Sequence, residues 1–170
     1  MRAACLLASW MSLACGATSA VPATPPTLDD FAFLVGTWEG ELTYLDYGDD
    51  TTRVTLATRV AFRRDGDVLR FTYRYLEPDG REVSDEGTVA VDADGRVTFG
   101  PETYALVASE DGGEVWTRRL VRRGTDNDRP VEVMRVVSRE DDRLTLTKEI
   151  RPEDAPAFER NRYTLRRVGE

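Results

Sequence analysis

The chain has 170 residues, which suits a single domain, and a formal net charge of −8 at pH 7. It contains no histidine, which excludes a Ser-His-Asp triad, a Cys-His pair, and any zinc or haem site that depends on histidine ligands. The acidic balance also disfavours nucleic-acid binding, because proteins of that class present a net-basic domain or face.

Residues 1–20 have the layout of a secretory signal peptide. They read MRAACLLASWMSLACGATSA, with one arginine, an apolar run and small residues at the end. The apolar run is too short for a permanent transmembrane helix, and no later segment is long or apolar enough. We therefore expect no transmembrane helix and an exported protein, either periplasmic or secreted.

A second export route is left open by the cysteines. Ser12-Leu13-Ala14-Cys15 roughly resembles a lipobox, so the alternative is a lipoprotein signal that ends at about residue 14 and a lipid anchor at Cys15. Both cysteines lie in this export region, so no disulfide framework is expected in the folded domain.

The segment 21–27 is predicted to be a linker and 28–170 the folded domain. Thr27 is a suitable N-cap, and Asp30 follows three residues later as in a capping box. Residues 28–34 are therefore predicted to form a short helix.

A glycine at position 36 is expected to end this helix, and a strand is predicted to begin at Trp38. Gly40 falls on the same face of that strand, where its missing side chain would leave room for the indole. Asp-Gly turn signals then recur at intervals of about 15 residues, at 65–66, 79–80 and 94–95 and in the Asp111-Gly112-Gly113 group. Asp-Gly favours the positive φ angles of a hairpin turn, and the runs between the turns alternate as half-buried strands do.

The pattern predicts an all-β fold, an up-and-down antiparallel β-barrel of about 8–10 strands with the short helix plugging one end. Short successive turns leave no room for crossover helices, and closing the sheet removes its edges. A flattened sandwich is the alternative. Looser connections are predicted at 122–130 and at 151–160, the second with one helical turn begun at Pro152.

The stretch FLVGTWEGEL (33–42) resembles the N-terminal signature of exported bacterial lipocalin-like families of unknown function, within the calycin barrels, and more distantly that of nitrobindin-type haem barrels. The resemblance implies that Trp38 packs under the barrel floor and that a basic residue of the last strand covers its ring. In RNRYTLRRV (160–168), Arg162 or Arg166 would take that role. Because the chain lacks the histidine of the nitrobindin type, no haem or other cofactor is expected, although tyrosine ligation of a haem stays open.

Several polar residues fall in phase with apolar inward positions and form a candidate ligand site. They are Asp85, Arg118, Arg135 and Lys148. The aromatic residues expected to line the rest of the interior are Tyr44, Phe71, Tyr73 and Tyr75. An arginine can hold an anionic head by paired hydrogen bonds, and the resemblance to fatty-acid-binding calycins, which use two arginines and a tyrosine, implies the same role here. The alternative is a bulge that turns these side chains to solvent.

The sequence thus predicts an exported lipocalin-like barrel that binds a small apolar or amphipathic ligand, in one version anionic. The alternative is a solid-core envelope, structural or protein-interaction barrel without an internal ligand. Gly-x-Ser-x-Gly, Ser-x-x-Lys and phosphate-loop patterns are all missing from the sequence, so we do not expect an enzyme. The acidic clusters lie in turns, where Asp is favoured locally, so no metal site is expected. The oligomeric state is left open.

Overall fold

The computed structural model describes residues 24–169. The predicted signal peptide (1–20), the alternative lipid anchor at Cys15 and the first part of the predicted linker lie outside the described residues. No helix within 24–169 is long and apolar enough to cross a membrane.

The described chain forms one short 3₁₀ helix, Leu28–Leu34, followed by ten strands. The strands are β1 (Gly36–Leu45), β2 (Arg53–Asp65), β3 (Val68–Leu76), β4 (Glu82–Val91), β5 (Arg96–Phe99), β6 (Glu102–Gly112), β7 (Val115–Asp126), β8 (Arg129–Glu140), β9 (Arg143–Pro152) and β10 (Phe158–Arg167).

The ten strands close into a barrel in which each strand pairs with its neighbours in sequence and β10 pairs with β1. All pairings are antiparallel. The predicted up-and-down barrel is therefore confirmed, and the flattened sandwich is not the fold. The Asp-Gly turns lie where they were predicted, with φ of 58° at Gly66, 83° at Gly80 and 75° at Gly95.

The two connections predicted to be loose are both tighter than expected. Strands β7 and β8 are joined by a two-residue turn in which Asn127 and Asp128 have φ of 47° and 62°. Asn and Asp accept the left-handed conformation better than other non-glycine residues, so this turn needs no glycine. In 151–160, β9 extends to Pro152 and β10 begins at Phe158, and no helical turn forms between them.

The N-terminal helix begins as predicted. The Asp30 carboxylate accepts hydrogen bonds from the Thr27 backbone N–H at 2.7 Å and from its hydroxyl at 3.3 Å. Phe31 and Leu34 are fully buried in the main hydrophobic cluster of the barrel. The indole N–H of Trp38 donates to the Leu34 carbonyl at 2.8 Å, so the end of the helix is fixed directly to the first strand.

The residue that covers Trp38 differs from the two that were predicted. Arg167 lies directly opposite Trp38 in the β1–β10 ladder, and its guanidinium carbon is 5.0 Å from the indole centroid. The Arg167 guanidinium also donates to the Val35 carbonyl. Arg162 and Arg166 occupy the alternate positions of β10, so both point outward, where they pair with Glu159 and Asp142.

The role of Gly40 also differs from the expectation. A Cβ atom at this position would collide with the Thr164 carbonyl oxygen and lie 3.0 Å from the Leu165 Cα. The glycine therefore allows β1 and β10 to approach each other, and it is the backbone of β10, not the indole, that requires the missing side chain. Gly36 ends the helix region as expected, with φ of 136°.

The barrel wall is incomplete beside the short strand β5. Strand β4 pairs with β5 only from Val89 to Val91, so the ladder leaves Glu82–Thr88 without a strand on that side, apart from a hydrogen bond from the Gly100 N–H to the Thr88 carbonyl. Across the interruption, β7 pairs with β6 only up to Val121, which leaves Arg122–Asp126 free of β6. We call this interruption between Glu82–Thr88 and Arg122–Asp126 the lateral gap.

The Trp38 contact can be tested with two neighbouring arginines of β10. Replacing Arg167 by alanine removes the cation–π contact and the hydrogen bond to Val35, and we expect the free energy of unfolding to fall by about 1–2 kcal/mol. Arg166→Ala removes one exposed ion pair and should change the free energy of unfolding by less than about 0.5 kcal/mol. Urea unfolding followed by tryptophan fluorescence measures both, and equal losses would contradict the assignment of Arg167.

Candidate functional site

Two cations face each other inside the barrel. Arg135 and Lys148 are directly opposite in the β8–β9 ladder. Arg135 lies between the fully buried Val133 and Val137, and Lys148 is in phase with the buried Ile150. Both side chains therefore point inward, as predicted, and like charges directly opposite each other repel.

A third cation and one carboxylate complete this group. The Arg122 guanidinium pairs with Glu102, and Arg135 Nη2 lies 3.7 Å from the other Glu102 oxygen. The Tyr104 hydroxyl donates to the same carboxylate, and Arg135 Nε lies 3.4 Å from that hydroxyl oxygen. We call Glu102, Arg122, Arg135 and Lys148 the internal charge cluster.

The internal charge cluster has more positive than negative charge. Arg122 and Arg135 share the carboxylate of Glu102, and Lys148 makes no ion pair within the described part of the chain. Burial lowers the pKa of Lys148, Glu102 opposes this shift, and the charge of Arg135 adds to it. Burial would raise the pKa of Glu102, but the hydrogen bond from Tyr104 and the surrounding cations bring it below its ordinary value. The site therefore favours an additional anion.

Three tyrosines form a wall beside the cluster. The rings of Tyr73 and Tyr75 are stacked with centroids 5.8 Å apart, and Tyr163 lies 5.0 Å from Tyr73. The hydroxyls of Tyr75 and Tyr163 are 3.0 Å apart. Burial raises the pKa of all three phenols, so they remain neutral donors. The buried hydroxyl of Tyr73 has no hydrogen-bond partner within the described residues.

The remaining predicted residues of β1, β3 and β4 lie at different depths. Phe71 is buried below Tyr73, with ring centroids 5.2 Å apart. Asp85 is directly opposite Tyr73 in the β3–β4 ladder and therefore lies on the same face of the sheet as Tyr73. Its side chain is nevertheless exposed, at the lateral gap. Tyr44 is half-buried near the end of β1, opposite Asn161, and its ring has no stacking contact with the three tyrosines in the described structure.

Arg118 is separated from this group. Its guanidinium is held by Asp111 at 2.6 Å and lies 3.5 Å from Asp30 of the N-terminal helix. It also lies over the Phe33 ring at 5.6 Å. Arg118 thus joins the helix to the barrel, and the structure does not bring it together with Arg135 in one site.

A second buried charge group lies where β1 and β7 end and β10 begins. Arg160 is fully buried at a bulge of β10 and pairs with the buried Asp126. Its other amino group donates to Asp50 of the β1–β2 loop at 2.6 Å, and Asn127 of the β7–β8 turn donates to the same carboxylate at 2.9 Å. These bonds hold the loop against the turn across the end of the barrel.

The charges of this second group are balanced, unlike those of the internal charge cluster. The Arg160 guanidinium meets the two carboxylates of Asp126 and Asp50. Arg129 also pairs with Asp50 at 3.3 Å, so two cations face two anions. The face of the Arg160 guanidinium packs on the rings of Tyr47 and Phe158, at 4.6 Å and 4.9 Å. We therefore interpret Arg160, Asp126 and Asp50 as a structural closure of the barrel end.

Sequence reasoning missed Glu102, Arg122, Tyr104 and Tyr163. Arg122 continues the phase of Leu120, but it was assigned to a loose connection and not to β7. Tyr163 continues the phase of the buried Leu165 in the same way. Glu102 is in phase with the buried Tyr104 two residues later, but it directly follows the turn after β5, where a charged residue is ordinarily exposed.

No group of three or more cysteine and acidic side chains within residues 24–169 is placed to hold a metal ion.

Comparison with known proteins supports the fold. No family model and no curated protein matches the chain. Among solved structures, it is similar to the protein in "Crystal Structure of Rv2717c from M. tuberculosis", with a TM-score of 0.62 and 20% sequence identity. That match covers 85% of this chain and 98% of the other. At this identity the similarity establishes a shared barrel fold.

The structural role of Arg160 can be tested through its buried partner. Asp126→Asn leaves a buried guanidinium with one carboxylate, and we expect the free energy of unfolding to fall by about 3 kcal/mol. Asp142→Asn removes the partner of the exposed Arg166 and should cost less than about 0.5 kcal/mol. Urea unfolding of both variants is the measurement, and a loss at Asp126 no larger than at Asp142 would refute the closure.

Proposed function

We propose that this protein is an exported lipocalin-like barrel that binds a small amphipathic ligand with an anionic head. The observation that carries the proposal is the excess positive charge of the internal charge cluster, where Arg122, Arg135 and Lys148 surround one carboxylate. Buried charges are costly unless they are paired. An anionic head beside Arg135 and Lys148 would supply the missing partner.

The surroundings of the cluster suit the apolar part of such a ligand. Tyr73, Tyr75 and Tyr163 form an aromatic wall beside it, and the Arg135 guanidinium stacks on the Phe99 ring at 4.5 Å. Apolar walls with a few well-placed polar groups are typical of small-molecule sites. The unpartnered hydroxyl of Tyr73 is available as a neutral donor.

The lateral gap supports a route by which a ligand would reach this site. The side chains of Glu102, Arg122 and Arg135 retain 22%, 19% and 16% of their full exposure, so solvent reaches the cluster although the residues point inward. Asp85 on one side of the gap is exposed. We infer that the ligand enters between β4 and β7, with its head toward Arg135.

The alternative function, a solid-core barrel that acts through its surface, is favoured by the packing near the helix. There Trp38, Phe62, Phe71 and Phe99 belong to one buried cluster with the helix residue Phe31. This packing limits a ligand to the tyrosine side of the barrel. Native mass spectrometry before and after delipidation separates the two functions, because a co-purifying small molecule is expected only for the first.

Binding can be tested with a dansyl-labelled undecanoic acid and its methyl ester. We expect the acid to bind, and Arg135→Gln to weaken it at least tenfold, because one charge-assisted contact of about 1.5–3 kcal/mol is lost. The uncharged ester should bind the wild type more weakly and be little affected by the substitution. Dansyl fluorescence titrations give the dissociation constants.

Two variants control this titration. Arg166→Gln removes an exposed outer guanidinium and should bind the acid within about threefold of the wild type. Arg135→Lys keeps the charge but loses the paired hydrogen bonds of the guanidinium, so its affinity for the acid should lie between those of the wild type and Arg135→Gln. Equal affinity of the wild type for acid and ester, or an equal effect of Arg135→Gln and Arg166→Gln, would count against the anionic site.

The lowered pKa of Lys148 gives the site a pH dependence. An anion stabilises the ammonium form, so affinity should be full while Lys148 is protonated and should fall as the pH rises through its pKa, which lies below the ordinary 10.5. A dansyl alkyl sulfonate keeps its charge over this range and is the appropriate probe. Lys148→Met should bind it more weakly and without this alkaline step, and a step of unchanged size in the variant would exclude Lys148 as its origin.

A further inference from the structure

The outer face of β2 and β3 carries two pairs of arginines that face each other directly. Arg59 is opposite Arg74, and Arg63 is opposite Arg70. Like charges at directly opposed positions destabilise a sheet. The arrangement occurs twice on adjacent strands of a chain whose net charge is −8, so folding alone gives no reason for it.

The two pairs are the walls of a groove with a low floor. Between them Ala61 is opposite Thr72, and these small side chains leave space above the sheet. The groove measures about 1020 Å³ and is also lined by Thr37 and Thr88. Arg63 follows Arg59 by four steps along an extended strand, so the walls are roughly 13 Å apart. We call the groove between Arg59–Arg74 and Arg63–Arg70 the arginine trough.

Acidic neighbours compensate the trough only in part. Arg59 pairs with Glu39 at 3.1 Å and Arg74 with Glu82 at 3.6 Å, and Asp65 pairs with Arg70. All these side chains are about half exposed or more, and exposed ion pairs contribute little to the stability of the fold. Arg63 has no ion pair within residues 24–169. The guanidinium groups therefore remain available to an external anion.

We propose that the arginine trough binds an acidic, extended peptide segment of a partner protein. The guanidinium fork matches a carboxylate by two parallel hydrogen bonds, and the trough offers such forks on both sides of a narrow floor. A peptide chain in the trough would direct glutamate or aspartate side chains toward the two walls. This site is on the outer surface and does not depend on the internal ligand.

The lining favours a peptide over other polyanions. Glu86 and Asp65 also line the trough. A uniformly charged polymer such as polyphosphate would place negative charge beside both carboxylates and be repelled by them. A peptide can place a neutral or basic residue there. The concave floor at Ala61 and Thr72 also disfavours a bilayer surface, because a flat surface contacts only the tips of the arginines.

The test uses fluorescence anisotropy with two fluorescein-labelled 12-residue peptides at 50 mM NaCl. One peptide alternates glutamate with glycine and ends in lysine at both termini, and the other has glutamine in place of glutamate. The variants are R59Q/R74Q and R63Q/R70Q. The matched control is R96Q/R143Q, which removes the same charge from exposed arginines of β5 and β9. Polyphosphate and vesicles containing phosphatidylglycerol are the competitors.

We expect the glutamate peptide alone to bind, each trough variant to weaken it at least tenfold, and the control to change it by less than about threefold. Binding of the dansyl fatty acid should be unchanged in R59Q/R74Q. No peptide binding, an equal loss in R96Q/R143Q, or stronger competition by polyphosphate or vesicles than by unlabelled peptide would overturn the proposal.

A stability measurement separates a binding role from a structural one. Arg63→Glu replaces a repulsive cross-strand pair with an attractive one, so its melting temperature should rise while peptide binding falls. If the melting temperature falls and binding persists, Arg63 serves the fold and the proposal fails.

Discussion

Closure of the sheet between β1 and β10 determines which side chains share the interior. In a closed barrel every second residue of each strand points into the shared interior. The pairing of β1 with β10 therefore determines which side chains from strands distant in sequence lie next to each other. Trp38 contacts Arg167 because the two residues are directly opposite each other in the β1–β10 ladder. Gly40 lets the two backbones approach there. The same alternation brings Arg135 and Lys148 inside.

The barrel was predictable because its signals are local. Asp-Gly turns, a capped helix and alternating strands specify an up-and-down barrel without knowledge of distant contacts. Partners across the barrel depend on phase, and here the prediction was wrong for Arg162 and Arg166. The alternation of Tyr163 and Leu165 continues to Arg167, so the covering arginine could have been found. The separation of Arg118 from Arg135 could not have been predicted, because it depends on two carboxylates that Arg118 reaches, Asp111 of β6 and Asp30 of the helix.

Among the described residues, the arginines that are buried or largely buried fall into two electrostatic classes. Arg160 and Arg118 each have two carboxylates within 4 Å, as expected for groups that hold elements together. Arg122 and Arg135 share one carboxylate with Lys148 nearby. Since a fold that needs only cohesion gains nothing from excess buried charge, the second class is the better candidate for ligand binding.

The short strand β5 connects the fold to this site. It has four residues, against nine or more in each of the other strands, and β4 and β7 therefore lack continuous partners beside the internal charge cluster. Unpaired strand edges are normally avoided because they invite aggregation. Here β4 presents Glu82, Asp85 and Glu86 along its free stretch, and charged residues protect such an edge. The free edge is thus protected by charge against pairing with another strand, and the interruption opens the wall beside the only inward group with an excess of positive charge among the described residues.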